Sequence, residues 1–156
     1  MEIISGSFKE TLRIGRIIAK YLEPQDIICL SGELGSGKTV LTKGIASGLG
    51  IEVFNVTSSS FILIREHLKG RLPLFHFDLY RLKAAQDIST LGYEEYFYGN
   101  GVSVIEWPER LECLMPEEYL NVKLNYRGEF KRGLKFHAVG SRYKKLLKDI
   151  NEDISD

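Results

Sequence analysis

The spacing of apolar positions changes repeatedly along this chain, and each change marks an element. Residues 1–6 suit a short edge strand. Ser7 followed by Glu10 is a capping-box pattern. In the helix it opens, Leu12, Ile14, Ile17, Ile18 and Leu22 fall near one face, and Pro24 closes it. A β-prone apolar run, with its first core strand at 27–30, comes next, and 40–49 returns to helical spacing, ended by Gly48 and Gly50. After the polar stretch 55–61, residues 61–67 and 72–79 read as two strands about a Lys69-Gly70 turn, a hairpin. Helical stretches follow at 84–91 and 94–98, the second with Tyr96 and Phe97 as its apolar side. Residues 102–107 form a strand of the continuously apolar, buried type, and Pro108 suits the first turn of a short helix. Residues 120–126 and 134–139 alternate about Arg127-Gly128, a second hairpin. A terminal helix spans 141–150, and 151–156 is expected to fray.

Between the strand at 27–30 and the helix at 40–49 lies Gly32-Glu33-Leu34-Gly35-Ser36-Gly37-Lys38-Thr39, a complete G-x-x-x-x-G-K-T loop. Strand, glycine loop and helix stand in the order the motif requires. The glycines let backbone N–H groups turn inward around an anion, and the helix adds its unpaired N–H groups and positive dipole end. Lys38 supplies a point charge for β- and γ-phosphates, and Thr39 a hydroxyl for Mg²⁺. The expected fold is α/β: a P-loop NTPase sheet with parallel core strands, antiparallel edge hairpins and helices on both faces.

Composition narrows this reading. With 156 residues the chain reads as one domain, 1–156, able to bury roughly two-thirds of its unfolded surface. No repeat, low-complexity linker or second domain is visible. Cys29 and Cys113 form no pattern, which points to a reduced cytosol, and hence a cytoplasmic location, rather than a disulfide framework. No apolar stretch approaches the ~20 residues that span a bilayer, and no signal peptide is visible, so no membrane partner is expected. Net charge is zero, so no general attraction to nucleic acid is expected. The charge is uneven, however: 121–148 is basic and 74–118 acidic. Both blocks read either as solvated faces or, for the basic one, as a docking surface.

A nucleotide site needs an acid at the end of a neighbouring strand. Period two puts Leu74, His76 and Asp78 on one side of their strand. Asp78 lies at its carboxyl end, where open α/β sheets bind ligands, or else it caps the next turn. His76 reads as a satisfied, partly buried histidine rather than a base. Glu106 ends the strand 102–105 and faces the same crevice. It would bind metal directly or through water, orient the attacking water, or cap the helix at Pro108. Trp107, on the opposite face, is plain core or an aromatic near the site. The hydroxyls of 57–60 stand where switch loops occur, or form an ordinary serine-rich loop.

The segments Leu30 to Thr39, Leu74-Phe75-His76-Phe77-Asp78-Leu79-Tyr80-Arg81, Leu91-Gly92-Tyr93-Glu94-Glu95-Tyr96-Phe97 and Ile105-Glu106-Trp107-Pro108-Glu109-Arg110 closely resemble the bacterial TsaE (YjeE) family. That family is the small ATPase of tRNA threonylcarbamoyladenosine synthesis. The resemblance covers about residues 3–140. It implies ATP/ADP and Mg²⁺ as ligands. Glu33, Leu34, Gly35, Ser36, Gly37, Lys38, Thr39 and Val40 would hold the nucleotide, with Thr11 near the base and Arg132 reaching from the last hairpin. Asp78 would be the Walker-B-like acid and Glu106 a metal- or water-associated acid. Lys38, Asp78 and Glu106 would form the catalytic set, and Thr39, Asp78, Glu106 and Ser60 the metal set. TsaB and TsaD are the implied partners, with tRNA met only through their complex. One departure stands out. The family's switch loop usually reads S-P-T-F or S-P-T-Y, and here Ser58-Ser59-Ser60-Phe61 keeps a hydroxyl but loses the fixed φ of proline. Two other classes fit a P-loop less well. A small-metabolite kinase would need a lid rich in Arg, but 84–100 is acidic and has none. A small GTPase would need Asn-Lys-x-Asp, which does not occur.

Overall fold

The computed structural model describes residues 1–53, 56 and 63–156. The chain runs β1 (Glu2–Ser5), α1 (Phe8–Lys20), β2 (Ile27–Gly32), α2 (Lys38–Gly48), β3 (Ile64–His67) and β4 (Leu74–Asp78). It continues through α3 (Ala85–Ser89), α4 (Tyr93–Phe97), β5 (Val102–Glu106), a 3-10 helix (Pro108–Leu114), β6 (Tyr119–Tyr126), β7 (Arg132–Val139) and α5 (Ser141–Ser155). The strands make one sheet in the order β1-β7-β6-β2-β5-β4-β3. β6, β2, β5 and β4 are mutually parallel. β7 and β1 extend one side antiparallel, and β3 the other. Both expected hairpins are present. The expected strand 61–67 is described from Leu63 on, and the switch stretch 57–60, Ser60 included, lies outside the described residues.

Alternation along the strands divides the core in two. Ile28 and Leu30 of β2, Val104 of β5 and Val122 of β6 face α1, α2 and α5, where Ile14, Ile18, Leu41, Ile45, Leu146 and Ile150 meet them. Ile27, Cys29, Phe75, Phe77 and Ile105 point the other way, onto Ile88 of α3, Phe97 of α4 and Leu111 of the 3-10 helix. The continuous apolar runs of β2 and β5 follow from this double burial. Helices therefore cover both faces, as the sequence leads one to expect.

Local chemistry sets the helix ends. The Ser7 hydroxyl accepts from the Glu10 N–H at 3.1 Å, and the Glu10 carboxylate accepts from the Gly6 N–H at 2.6 Å. The capping box therefore forms, shifted by one residue on its return side, a cap of about 1 kcal/mol. At the other terminus the expected fraying of 151–156 does not occur, since α5 continues to Ser155. Its apolar stripe extends by one more turn, Leu146, Ile150 and Ile154, onto the core. Asp153 also accepts from Lys20 Nζ at 2.8 Å and from the Tyr21 hydroxyl at 3.0 Å, tying the last turn to the end of α1.

α1 and α2 cross at two glycines. A Cβ on Gly15 would stand 2.7 Å from the Gly44 Cα and from the Leu41 carbonyl oxygen, and one on Gly44 would stand 2.5 Å from the Leu12 carbonyl oxygen. These neighbours are backbone and cannot swing aside. Gly15→Val should therefore destabilise the fold by about 2–3 kcal/mol, a fall in Tm of about 4–10 °C. A thermal melt of the variant beside the parent checks this.

Candidate nucleotide-binding site

The candidate residues gather at one end of the sheet because the register puts them there. Leu30, two residues before the end of β2, lies opposite Glu106, the end of β5. Asp78, the end of β4, lies opposite Glu106 on its other side. Gly32 lies opposite Leu124 of β6. Arg132, which opens β7, is in register with Tyr126 and with Ser5. This end is the carboxyl edge of the parallel strands, where open α/β sheets hold ligands.

The loop between β2 and α2 is built around space. Gly32, Gly35 and Gly37 have φ of 139°, 77° and 108°. A Cβ on Gly32 would come within 2.4 Å of the Leu124 carbonyl oxygen, and one on Gly35 within 2.6 Å of the Tyr126 hydroxyl. The Tyr126 hydroxyl donates to the Leu34 carbonyl at 3.1 Å, and its ring carries the Arg132 guanidinium at 4.5 Å. Arg132 also donates to the carbonyls of Gly128, Glu129 and Lys131, which fixes the β6–β7 turn beside the loop. Ser36 is fully buried, and its hydroxyl has no partner among the described residues. A glycine-lined turn at a helix N-terminus, with an orphaned buried hydroxyl, fits an anion such as the phosphates of a nucleotide.

Lys38 is buried. Its ammonium donates to the carbonyls of Gly32 and Glu33 at 2.7 and 2.8 Å and sits 4.2 Å from the centroid of the Trp107 ring. Burial pushes its pKa below the ordinary lysine value, against the pull of Glu106, Glu109 and Asp78. Trp107 follows β5 with a φ of 61°, a left-handed turn, and packs against the opposite-face cluster as alternation predicts while its ring reaches Lys38. Its ring then packs against Lys38 and against Tyr80, at 5.0 Å between centroids.

The two acids differ. Glu106 is buried, and both of its oxygens are engaged. Oε1 accepts from the Thr39 hydroxyl at 3.1 Å, and Oε2 meets His76 Nε2 at 2.5 Å. Asp78 is half-buried, accepts from the Tyr80 N–H at 3.2 Å, and is pushed above the ordinary aspartate pKa by burial and then by Glu106. Thr39, Asp78 and Glu106 thus offer a hydroxyl and carboxylate oxygens, the hard donor set that suits Mg²⁺. Thr11 lies at the same end but is buried. Its hydroxyl stands 2.7 Å from the Ser5 hydroxyl and donates to the Ser7 carbonyl. Val40 follows Thr39 in the first turn of α2.

The family model of the threonylcarbamoyl adenosine biosynthesis protein TsaE matches residues 5–134. The chain belongs to the TsaE family. The TsaE proteins of Bacillus subtilis and Treponema pallidum are each 40% identical to it, covering 92% and 80% of this chain and 89% and 90% of their own. The crystal structure of YdiB from Bacillus subtilis matches with a TM-score of 0.84 at 36% identity, covering 99% of this chain and 95% of that one. The place of the TsaE family is in the biosynthesis of threonylcarbamoyladenosine in tRNA.

Three further residues stand at the candidate site. Of these, sequence reasoning leaves Trp107 open between plain core and an aromatic near the site, and assigns neither His76 nor Tyr126 to it. His76 holds Glu106, Trp107 lies against Lys38, and Tyr126 braces the loop. Period two signalled His76, which shares the face of Asp78. Nothing in the pattern signalled the turn at Trp107. The basic block at 121–148 is partly neutralised within the fold: Arg127 pairs with Glu2, Arg142 with Asp26, and Lys148 lies 3.9 Å from Glu152. Among the described residues no helix is long and apolar enough to cross a membrane.

The brace at Tyr126 is testable through stability. Gly35→Ala forces an L residue to a φ of 77° against the tyrosine hydroxyl, and should cost about 1–2 kcal/mol for the backbone alone. Gly50→Ala, at a φ of 82° with nothing within 4 Å, should show that backbone cost without the collision. In a Tyr126→Phe background the excess at Gly35 should shrink, and urea unfolding of the set measures it.

Proposed function

We propose that this chain is a Mg²⁺-dependent ATPase that drives the TsaB–TsaD tRNA-modification complex through its cycle. The observation that carries the reading is the glycine loop at the carboxyl end of β2, with Lys38 inside it and two carboxylates beside it. Backbone N–H groups of 33–40 would receive the β-phosphate region, with the Ser36 hydroxyl available to it. Lys38 would exchange two neutral carbonyl acceptors for phosphate oxygens, a stronger charge-assisted pairing. Thr39 and Asp78 would hold Mg²⁺, which when bound supplies the positive charge that neutralises the β- and γ-phosphates. Glu106 would fix Thr39 from behind and hold the attacking water in line. Arg132 and Thr11 border the same end and would frame the base and sugar.

Regulation by partners fits this arrangement. Hydrolysis in P-loop proteins is slow until a switch element is ordered. TsaB and TsaD would supply that ordering, and tRNA would be met through their complex. The test is ATP hydrolysis by the chain alone, and then with TsaB and TsaD added. Acceleration by the partners supports the reading. A rate that stays at background in both cases would sink it.

Two substitutions refine the roles. Lys38→Ala removes the cation nearest the phosphates, and charge-assisted contacts of this kind contribute ~1.5–3 kcal/mol. ATP affinity should fall roughly 10- to 150-fold by titration calorimetry. Because Trp107, the chain's one tryptophan, stacks on Lys38, nucleotide addition should also change its fluorescence in the parent.

The carboxylates should separate in kinetics. Asp78→Asn should weaken Mg²⁺-dependent binding together with turnover. Glu106→Gln should lose turnover while keeping most of the affinity. Paired measurements of nucleotide Kd and kcat on the two variants check this division.

A further inference from the structure

We propose that His76 is the residue that positions Glu106 for turnover, acting from β4 on a carboxylate carried by β5. The proposal rests on the ATPase reading above. His76 and Glu106 are both almost wholly buried, with side-chain exposures of 1% and 4%, and their contact of 2.5 Å is short. His76 lies in register with Val104, so Glu106 is its diagonal neighbour one step toward the phosphate loop. Both residues stand on the face that carries Leu74 and Val104 onto the α1–α2 core.

A packing role alone does not account for an imidazole here. Its Nδ1 is buried and has no partner among the described residues. A buried polar atom left without a partner is costly, and an apolar side chain of similar volume would avoid that cost. The imidazole is therefore held for what Nε2 does. A carboxylate oxygen accepts, so in this contact Nε2 is the donor and carries a proton.

The consequence lies at the other oxygen. A glutamate side chain has three rotatable bonds, and Asp78 stands opposite Glu106 in register as a like charge. Free rotation would leave the Glu106 carboxylate without a fixed orientation beside that charge. With Oε2 tethered by His76, Oε1 is presented to the Thr39 hydroxyl. His76, Glu106 and Thr39 thus form one chain of contacts from the middle of β4 to the first turn of α2. His76 touches no reacting atom in this scheme. It fixes the group that does.

The test uses His76→Gln, His76→Asn and His76→Leu in the full chain with its partners. A glutamine amide nitrogen reaches the place of Nε2 and an asparagine does not. Turnover should fall about tenfold or more in the Leu and Asn variants and recover to within about threefold of the parent in the Gln variant, with nucleotide Kd held within about threefold throughout. Parent-level turnover in His76→Leu overturns the proposal. So does a loss of affinity equal to the loss of turnover, or a Gln variant no better than Asn. If the Leu variant does not fold, the Gln and Asn pair decides. A second readout needs no activity. Imidazole-tuned ¹⁵N–¹H spectra of the parent should show the His76 proton on Nε2, far downfield, moving upfield in Glu106→Gln. A proton on Nδ1 alone, or no response to Glu106→Gln, overturns the proposal. If the parent hydrolyses no ATP under any condition, the ATPase reading fails and these spectra still decide the positioning.

Discussion

Strand β2 is bonded in parallel on both sides and buried on both faces, yet it must deliver its backbone into a tight turn able to wrap an anion. The position of every group in the candidate site depends on that requirement. At Gly32 the chain passes so close to the Leu124 carbonyl that a Cβ has no room. The approach locks the loop to β6, and β6 ends two residues later at Tyr126, within reach of Leu34. On the other flank the same strand sets Leu30 against Glu106, and β5 in turn sets Glu106 against Asp78. The loop is thus a consequence of sheet register, and its glycines are required by close approach and positive φ, since Gly35 and Gly37 also stand where L residues are strained.

In this state the loop satisfies its own cation. Lys38 is buried and would carry its charge at a desolvation cost, which is what lowers its pKa. Two loop carbonyls and the face of Trp107 offset part of that cost. Both kinds of contact are weaker than a pairing with polyphosphate, so an arriving anion gains a lysine that is already desolvated and close to position. The left-handed turn at Trp107 is the local strain that keeps the ring under the ammonium, and the Tyr80 ring supports it from outside.

How much of this was legible in the sequence depends on the range of the interaction involved. The strand, loop and helix around Lys38 follow from contacts within some twenty residues, and the capping box, hairpins and buried strand 102–106 are local in the same sense. Asp78 and Glu106 were legible as strand-terminal acids, since period two and the carboxyl-edge rule do not need the register. What the pattern could not give was pairing across the sheet. That His76 meets Glu106 needs β4 beside β5 in parallel with a particular offset, and that Tyr126 meets Leu34 needs β6 beside β2. Trp107 packs against the cluster on the opposite face, as alternation predicts, and what the pattern does not show is the left-handed turn that also brings its ring to Lys38. The expectation that 151–156 frays rests on the usual disorder of chain termini. The stripe Leu146, Ile150 and Ile154, and a tie from Asp153 to the end of α1, hold it in the helix.

The two carboxylates show how one edge of a sheet separates roles that look alike in sequence. Both end apolar parallel strands and stand in register with each other. Glu106 occupies the inner position, where each oxygen finds a donor within the fold, so its orientation is set before any ligand arrives. Asp78 lies one strand further out, half-buried, with a single backbone donor at one oxygen, and burial together with its neighbour opposes its ionisation. A cation placed beside Asp78 relieves that opposition, because opposite charge favours the ionised form. The outer acid therefore gains more from an arriving metal than the inner one, and the inner acid loses less orientational freedom when it arrives. The proposed division, metal retention at Asp78 and alignment at Glu106, rests on these environments, although the two side chains carry the same functional group.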